Sequence, residues 1–171
     1  MNIKILSAAE FEKQIPRIAE ILIDAVDSGA GVSFMKPLLP NVAQDFWRGQ
    51  ISGIAAHSIF PIVAEIDGRI AGVVLLMRSW APNQPHRSDI AKLLVHRNFR
   101  RRGVASALIQ ALEDKARELN QTLITFDAVA NSPASAFYES LGFICVGAYP
   151  NYAYSGDGKM DDTALFYKNL E

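Results

Sequence analysis

Apolar residues recur at Phe11, Ile15, Ile18, Leu22 and Val26. That three-to-four spacing predicts a helix of about four turns ending at Ser28-Gly29, after a short edge strand over residues 2–6. Asn41 can cap a second helix whose apolar side is Val42, Phe46, Trp47, Ile51 and Ile54. The period then changes: Ile59–Ile66 and Arg69–Met77 are β-rich runs joined by Asp67-Gly68, a two-residue hairpin signal. After the turn-rich segment Ala81–Pro85, Asp89–His96 reads as another strand. Gly103–Asn120 is the clearest helix, with Val104, Leu108, Leu112, Ala116 and Leu119 as its buried stripe and Gln110, Glu113, Asp114 and Arg117 facing water. A strand follows over Thr122–Asp127, and Ser132-Pro133 opens a short helix that Gly142 stops. Phe143–Gly147 and Thr163–Lys168 read as final strands separated by a polar loop from Pro150 to Lys159. A hairpin-rich first half and a βαβ second half predict one mixed sheet with helices on its faces. The connection over residues 29–37 is long for an ordinary loop and carries Phe34 and Met35, so it either packs on the core or covers a ligand.

Composition narrows the function classes. The 171 residues predict a single domain over 1–171, long enough to bury about 70% of its unfolded surface. Seventeen Lys+Arg against eighteen Asp+Glu argue against general nucleic-acid or membrane-surface binding. A 50% hydrophobic content excludes disorder. Cys145 is the single cysteine, so no internal disulfide or Cys-based zinc cluster can form, and no His/Asp/Glu grouping has metal spacing. Without a signal-peptide pattern or a membrane-length apolar run, a cytoplasmic protein is expected.

The most informative stretch is Leu93-Leu94-Val95-His96-Arg97-Asn98-Phe99-Arg100-Arg101-Arg102-Gly103-Val104-Ala105-Ser106. A buried strand runs into an arginine-rich turn that opens directly into an amphipathic helix. The first N–H groups of that helix lack internal partners, and its dipole is positive there. Gly103 and Ala105 are small enough to let an anion approach the backbone, which suits a phosphate and, better, a diphosphate. Four arginines so close together can also be a solvated charge run or a weak nucleic-acid patch. Their placement at a strand-to-helix junction, in a chain that is otherwise not basic, favours the cradle. No Gly-Lys-Ser/Thr follows the glycine, and no Gly-x-Gly-x-x-Gly is present, so nucleoside triphosphate hydrolysis and dinucleotide binding are disfavoured.

Arg100-x-x-Gly103-x-Ala105 after the strand Lys92-Leu93-Leu94-Val95 resembles the acetyl-CoA pyrophosphate motif of the GNAT N-acetyltransferase superfamily. Downstream, Ala134-Ser135-Ala136-Phe137-Tyr138-Glu139-Ser140-Leu141-Gly142-Phe143 resembles that superfamily's second motif, one helix and one strand away. The element order matches along the whole chain. The resemblance implies an α/β (α+β) GNAT-like fold, with a mixed central sheet of about seven strands flanked by about four helices. Val32-Ser33-Phe34-Met35, His86–Leu93 and Gly147–Tyr152 further resemble the branch that includes tabtoxin-resistance acetyltransferases. Two positions depart from the usual pattern: Ala105 stands for a glycine, and Arg97 stands where many relatives have proline.

Acetyl transfer to an amine needs a held donor, a stabilised oxyanion, a neutral amine and a protonated leaving thiolate. The resemblance implies that the main chain of Leu94 and Val95 pairs with the pantetheine arm and polarises the thioester carbonyl. It implies that Arg100, Arg101, Arg102, Gly103, Val104, Ala105 and Ser106 hold the pyrophosphate, and that Asn131 binds the pantetheine arm. Tyr138 matches the family's phenol near the sulfur; at an ordinary pKa of about 10 it can donate to a thiolate of about 8.5. The alternative is a tyrosine buried for its ring alone. Asp127, ending its strand, could orient the substrate ammonium or take its proton through water, or instead pair with an arginine. Asp89, Glu65, His86 and His96 are further base candidates. Phe34, Met35, Trp80, Tyr152 and the neighbouring Tyr149 and Tyr154 are candidate acceptor walls, with core packing as the other role for each. The expected activity is acetyl-CoA-dependent N-acetylation of a small-molecule primary amine such as a toxin or antibiotic. The alternatives are acetylation of a peptide or protein amine, or a non-catalytic acyl-CoA-binding module. Members of the superfamily are often dimers, which brings a homodimer into consideration.

Overall fold

A computed structural model describes residues 1–170. Seven strands form one sheet in the order β1-β2-β3-β4-β5-β7-β6. They are β1 (Asn2–Ile5), β2 (Ile59–Ile66), β3 (Arg69–Arg78), β4 (Arg87–Val95), β5 (Leu123–Val129), β6 (Ile144–Tyr154) and β7 (Met160–Asn169). Only β4 and β5 pair in parallel; every other neighbour is antiparallel. Helices α1 (Ala8–Asp27), α2 (Pro40–Arg48) and α3 (Ile51–Ala55) pack on one face. Helices α4 (Val104–Glu118) and α5 (Pro133–Ser140) pack on the other. No described helix is long and apolar enough to cross a membrane.

Alternate residues of β2 and β3 feed the two cores. Val63, Val73 and Leu75 meet Phe11, Ile18, Leu22 and Trp47, while Ile62, Val74 and Leu76 meet Leu108, Leu112 and Ile124. That two-sided burial explains why these strands read as continuous apolar runs.

Several elements differ from the sequence expectation; β5 runs over Leu123–Val129, so Asp127 does not end its strand, and β7 begins at Met160 instead of Thr163. The first helix begins at Ala8 because Ser7 and Glu10 form a reciprocal capping box, adding a turn before Phe11. The second starts at Pro40 after Leu39, so Asn41 is no cap, and it breaks at Gly49-Gln50 into α2 and α3. The strand expected over Asp89–His96 starts at Arg87 and stops at Val95. The first half of the polar segment from Pro150 to Lys159 is strand: β6 bulges at Pro150–Tyr152, where the Asn151 N–H donates to Asp162 Oδ1 (2.8 Å), then resumes to Tyr154, and only residues 155–159 form the loop.

Two irregularities position the site. Between the pairs Val73–Leu94 and Leu75–Ala91, β4 carries one residue more than β3, and Lys92 takes a left-handed conformation (φ 53°) within that bulge. Gly72, on β3 beside the bulge, sits where an added Cβ would stand 2.8 Å from the Leu94 carbonyl oxygen and 3.1 Å from side chains of Leu108 and Val104.

Candidate active site

The β4–β5 ladder has three rungs, Arg87–Leu123, Ser88–Ile124 and Asp89–Thr125, and then the strands part. Between them opens a cleft of about 670 Å³. Ile90–Val95 of β4, Phe126–Val129 of β5, Ser132–Ala134 and Tyr138 of the α5 region, Ala105 of α4 and the loop after α1 line it.

At one mouth of the cleft, α4 begins at Gly103 (φ 75°) with no side chain capping it and open space around its Cα. Positive φ is accessible to glycine at little cost, so the turn presents the first backbone N–H groups of α4 outward. Arg101 and Arg102 are exposed beside it, and Arg102 lies over the Phe99 ring. The uncapped helix start, the open space and two guanidinium groups that form no ion pair among the described residues fit a diphosphate.

Arg97 and Arg100 are turned inward. The Arg97 N–H donates to Asp24 Oδ2 (2.9 Å), and its guanidinium also binds Asp24. Arg100 donates to the Val95 carbonyl (3.0 Å), to Asp24 (3.4 Å) and to Ser28 Oγ (3.3 Å). Proline at position 97 would have no N–H to give, so the backbone bond to Asp24 needs a residue other than proline there. Burial of Asp24 in α1 raises its pKa, but the Arg97 backbone and side-chain bonds, with the charges of His96 and Arg97, outweigh that and hold it below the ordinary range. Sequence reasoning missed Asp24; its one visible signal is an acid amid the apolar end of α1.

Tyr138 is buried among Phe126, Phe137, Phe143 and Phe166, with its ring centroid 4.2 Å from that of Phe126. Burial pushes its phenol above the ordinary value. Among the described residues none hydrogen-bonds its hydroxyl, and the residue lines the cleft. Asp127, next to Phe126 on β5, also lines the cleft and is exposed. Lys92, also missed, lies half-buried in the same cleft and donates to the Val32 carbonyl and Ser33 Oγ (3.0 Å each) over the rings of Phe34 and Phe46. Desolvation lowers its pKa, partly opposed by Asp127. A lysine inside Ile90–Val95 was the signal, disguised as an ordinary polar alternation.

The structure brings Leu94, Val95, Arg100, Ala105, Asp127 and Tyr138 to one cleft. Val104 is buried behind the mouth, Ser106 is exposed on the first turn of α4, and Asn131 sits in the turn before α5, just outside the lining. Phe34 packs on Phe46 (5.3 Å) and supports Lys92 from behind, and the exposed Met35 is also outside the lining. Two further expected walls also stand outside the cleft lining. Trp80 follows β3 and is 92% exposed near the start of β4, at the closed end of the strand pair. Tyr152 stands on the outer strand β6, stacked on Tyr149. Asp89 is bound to Arg87 and Thr125, Glu65 pairs with Lys4, and His96 caps the turn at Asn98.

The chain belongs to the acetyltransferase (GNAT) family, whose pattern matches residues 31–143. An N-alpha-acetyltransferase of Sulfurisphaera tokodaii is 29% identical over 104 residues, 56% of this chain and 62% of that protein, so the match spans under two thirds of that relative. The ribosomal-protein-alanine N-acetyltransferase from Brucella melitensis superposes with a TM-score of 0.80 at 20% identity, covering 99% of this chain and 100% of that one. A structure from Salmonella typhimurium solved with its cofactor acetyl-CoA gives a TM-score of 0.79 at 18% identity, covering 100% and 94%.

Proposed function

We propose that this chain is an acetyl-CoA-dependent N-acetyltransferase whose acceptor is the primary amine of a small molecule. The observation that carries this reading is the continuity of the uncapped α4 mouth with the parted β4–β5 strands and the Tyr138 hydroxyl in one cleft. When bound, acetyl-CoA supplies the activated acyl group. The N–H groups opening α4, with Arg101 and Arg102, hold its diphosphate. Leu94 and Val95 offer strand edge to the pantetheine arm where β5 has left β4, and Asn131 reaches that arm from the turn before α5. Tyr138 stays protonated at neutral pH because its burial disfavours the phenolate, so it donates a hydrogen bond toward the leaving sulfur. Asp127 orients the acceptor ammonium and draws off its proton through water.

The acceptor side supports a small substrate. Gly31 of the loop after α1 lies so close to β5 that a Cβ there would meet Val129 Cγ2 at 2.6 Å, and the Lys36 N–H donates to the Gly156 carbonyl (2.9 Å). Two loops thus tie across the acceptor mouth, which suits a compact amine of the kind the tabtoxin-resistance likeness suggests. The names of the two N-acetyltransferase relatives favour a second reading, acetylation of a protein N-terminus.

The test incubates purified chain with acetyl-CoA and separate panels of small amines and peptides, following thiol release after the exposed Cys145 has been titrated as baseline. Release with small amines supports the reading, and release with peptides alone favours the second. CoA binding without release from any amine would leave only a binding module.

A further inference from the structure

Half-buried cations in this chain are matched to acids, with one exception. Among the lysines and arginines that are not exposed, Arg17 pairs with Glu20, Arg87 with Asp89, Lys115 with Glu118 and Lys168 with Glu113. Lys92 is the remaining one, and among the described residues it meets no carboxylate. Its donated bonds go to neutral oxygens, the Val32 carbonyl and Ser33 Oγ (3.0 Å each), which leaves one N–H of the ammonium unassigned. The position is costly twice over. Its backbone is left-handed (φ 53°), and its ammonium lies over the rings of Phe34 and Phe46, where desolvation lowers its pKa. An uncharged donor could tie the loop after α1 without the second cost.

The matching charge stands on the other strand. The last rung between β4 and β5 is Asp89–Thr125, so two residues further along each strand Asp127 comes level with Ala91, beside Lys92. Asp127 is exposed on the same cleft, and its charge is felt at Lys92, yet no ion pair joins them. The other charged groups on the lining are engaged already: Arg100 by Asp24, and Asp161 by Lys159 (3.2 Å). The cleft thus keeps one cation and one anion unspent, on the two strands that part.

We propose that Lys92 is a specificity-determining residue that binds a carboxylate on the acceptor, so that the acceptor is an amino acid whose amine lies toward Asp127. This rests on the acetyltransferase reading and narrows its small amine to a zwitterion. Complementarity of charge favours it: an acceptor with an ammonium alone would bring a second cation into the cleft and leave Lys92 uncompensated. A peptide N-terminus would offer Lys92 an amide and no charge. The transfer itself is unaltered. The acceptor nitrogen gives up one proton, its bond to the acetyl carbon forms as the bond from that carbon to sulfur breaks, and the CoA thiol leaves carrying a proton.

In the test, the full chain with acetyl-CoA is given alanine, leucine, β-alanine and 4-aminobutyrate, each beside its own amide, and thiol release is followed. At least one acid should be turned over with kcat/KM about tenfold above that of its amide, the effect of one charge-assisted bond. The amide's amine is the less basic and the more often neutral, so amine protonation works against that preference. The preference should vanish in Lys92→Met, mainly through KM, and persist in Lys92→Arg. Because Lys92 also ties the loop, both rates can fall in the methionine variant, and the acid-to-amide ratio reads the carboxylate alone. Amides turned over as fast as acids by the natural chain would overturn the proposal and leave the acetyltransferase reading standing. An acid preference that survives in Lys92→Met would overturn it as well. No thiol release from any amine, these or others, would take down the acetyltransferase reading and this inference with it.

Discussion

The two halves of β4 face the same neighbour and treat it differently. Over Arg87–Asp89 the strand is zipped to β5, and its polar groups satisfy one another: Arg87 with Asp89 and Thr125, and Ser88 Oγ donating to Gln121. Over Ile90–Val95 the ladder is open, and the polar groups on the cleft are unspent or only partly spent. Lys92 has neutral oxygens but no carboxylate partner, Asp127 forms no ion pair among the described residues, and the Tyr138 hydroxyl is free. Their collection where two parallel strands separate, against the mutually bonded groups of the zipped half, distinguishes the two halves of β4. The closed half gives stability, and the open half is left for ligands.

Substitutions should separate the halves. The largest effect is expected from Tyr138→Phe, which should lower kcat about 10²–10⁴-fold with acetyl-CoA affinity unchanged by calorimetry. Full turnover would take the phenol out of the mechanism. Because burial raises its pKa, Tyr138 should also contribute no loss of rate on the alkaline side below about pH 10. Next is Asp24→Ala, which removes the acceptor beneath Arg97 and Arg100. With both guanidinium groups about half exposed it should cost about 2 kcal/mol, a drop of about 4–8 °C in Tm.

The pH dependence follows from the lowered pKa of Asp24. Its contribution is full above the unfolded value near 4 and is lost as pH falls through the lower folded value. Asp24→Asn should therefore flatten the acid limb of the stability curve, and an unaltered limb would argue that the ion pairs contribute nothing. Arg101→Ala/Arg102→Ala should weaken CoA about tenfold and reduce the salt dependence of binding, with Tm unmoved. The smallest effect is assigned to the closed half: Asp89→Ala should cost about 1 kcal/mol in chemical denaturation and leave CoA affinity alone. A CoA effect there would erase the division between the halves.

Elements whose signal is local were legible in the sequence. The Asp67-Gly68 turn, the Ser132-Pro133 start of α5 and the stripe Val104, Leu108, Leu112 and Ala116 of α4 form where expected, whereas Glu113, expected to face water, is buried against Lys168. The α4 mouth was legible for the same reason, since its strand, turn and helix are contiguous. β6 was read short because a strand exposed on both faces has no apolar-polar alternation to display. The tie between Asp24 and Arg97 spans 73 positions and leaves no trace in local spacing. Trp80 and Tyr152 were drawn in by aromatic character, whereas which end of a strand or which edge of a sheet they occupy is set by strand order.

Gly72 lies outside the lining of the cleft, yet its lack of a side chain lets β3 lie close behind Leu94 and the start of α4. A single methyl there would stand 2.8 Å from the Leu94 carbonyl, which would have to shift, and 3.1 Å from side chains of Val104 and Leu108, which would have to give by a few tenths of an ångström. Anyone reshaping this cleft should treat position 72 as a shim: thickening it presses on the Leu94 backbone of the lining from behind.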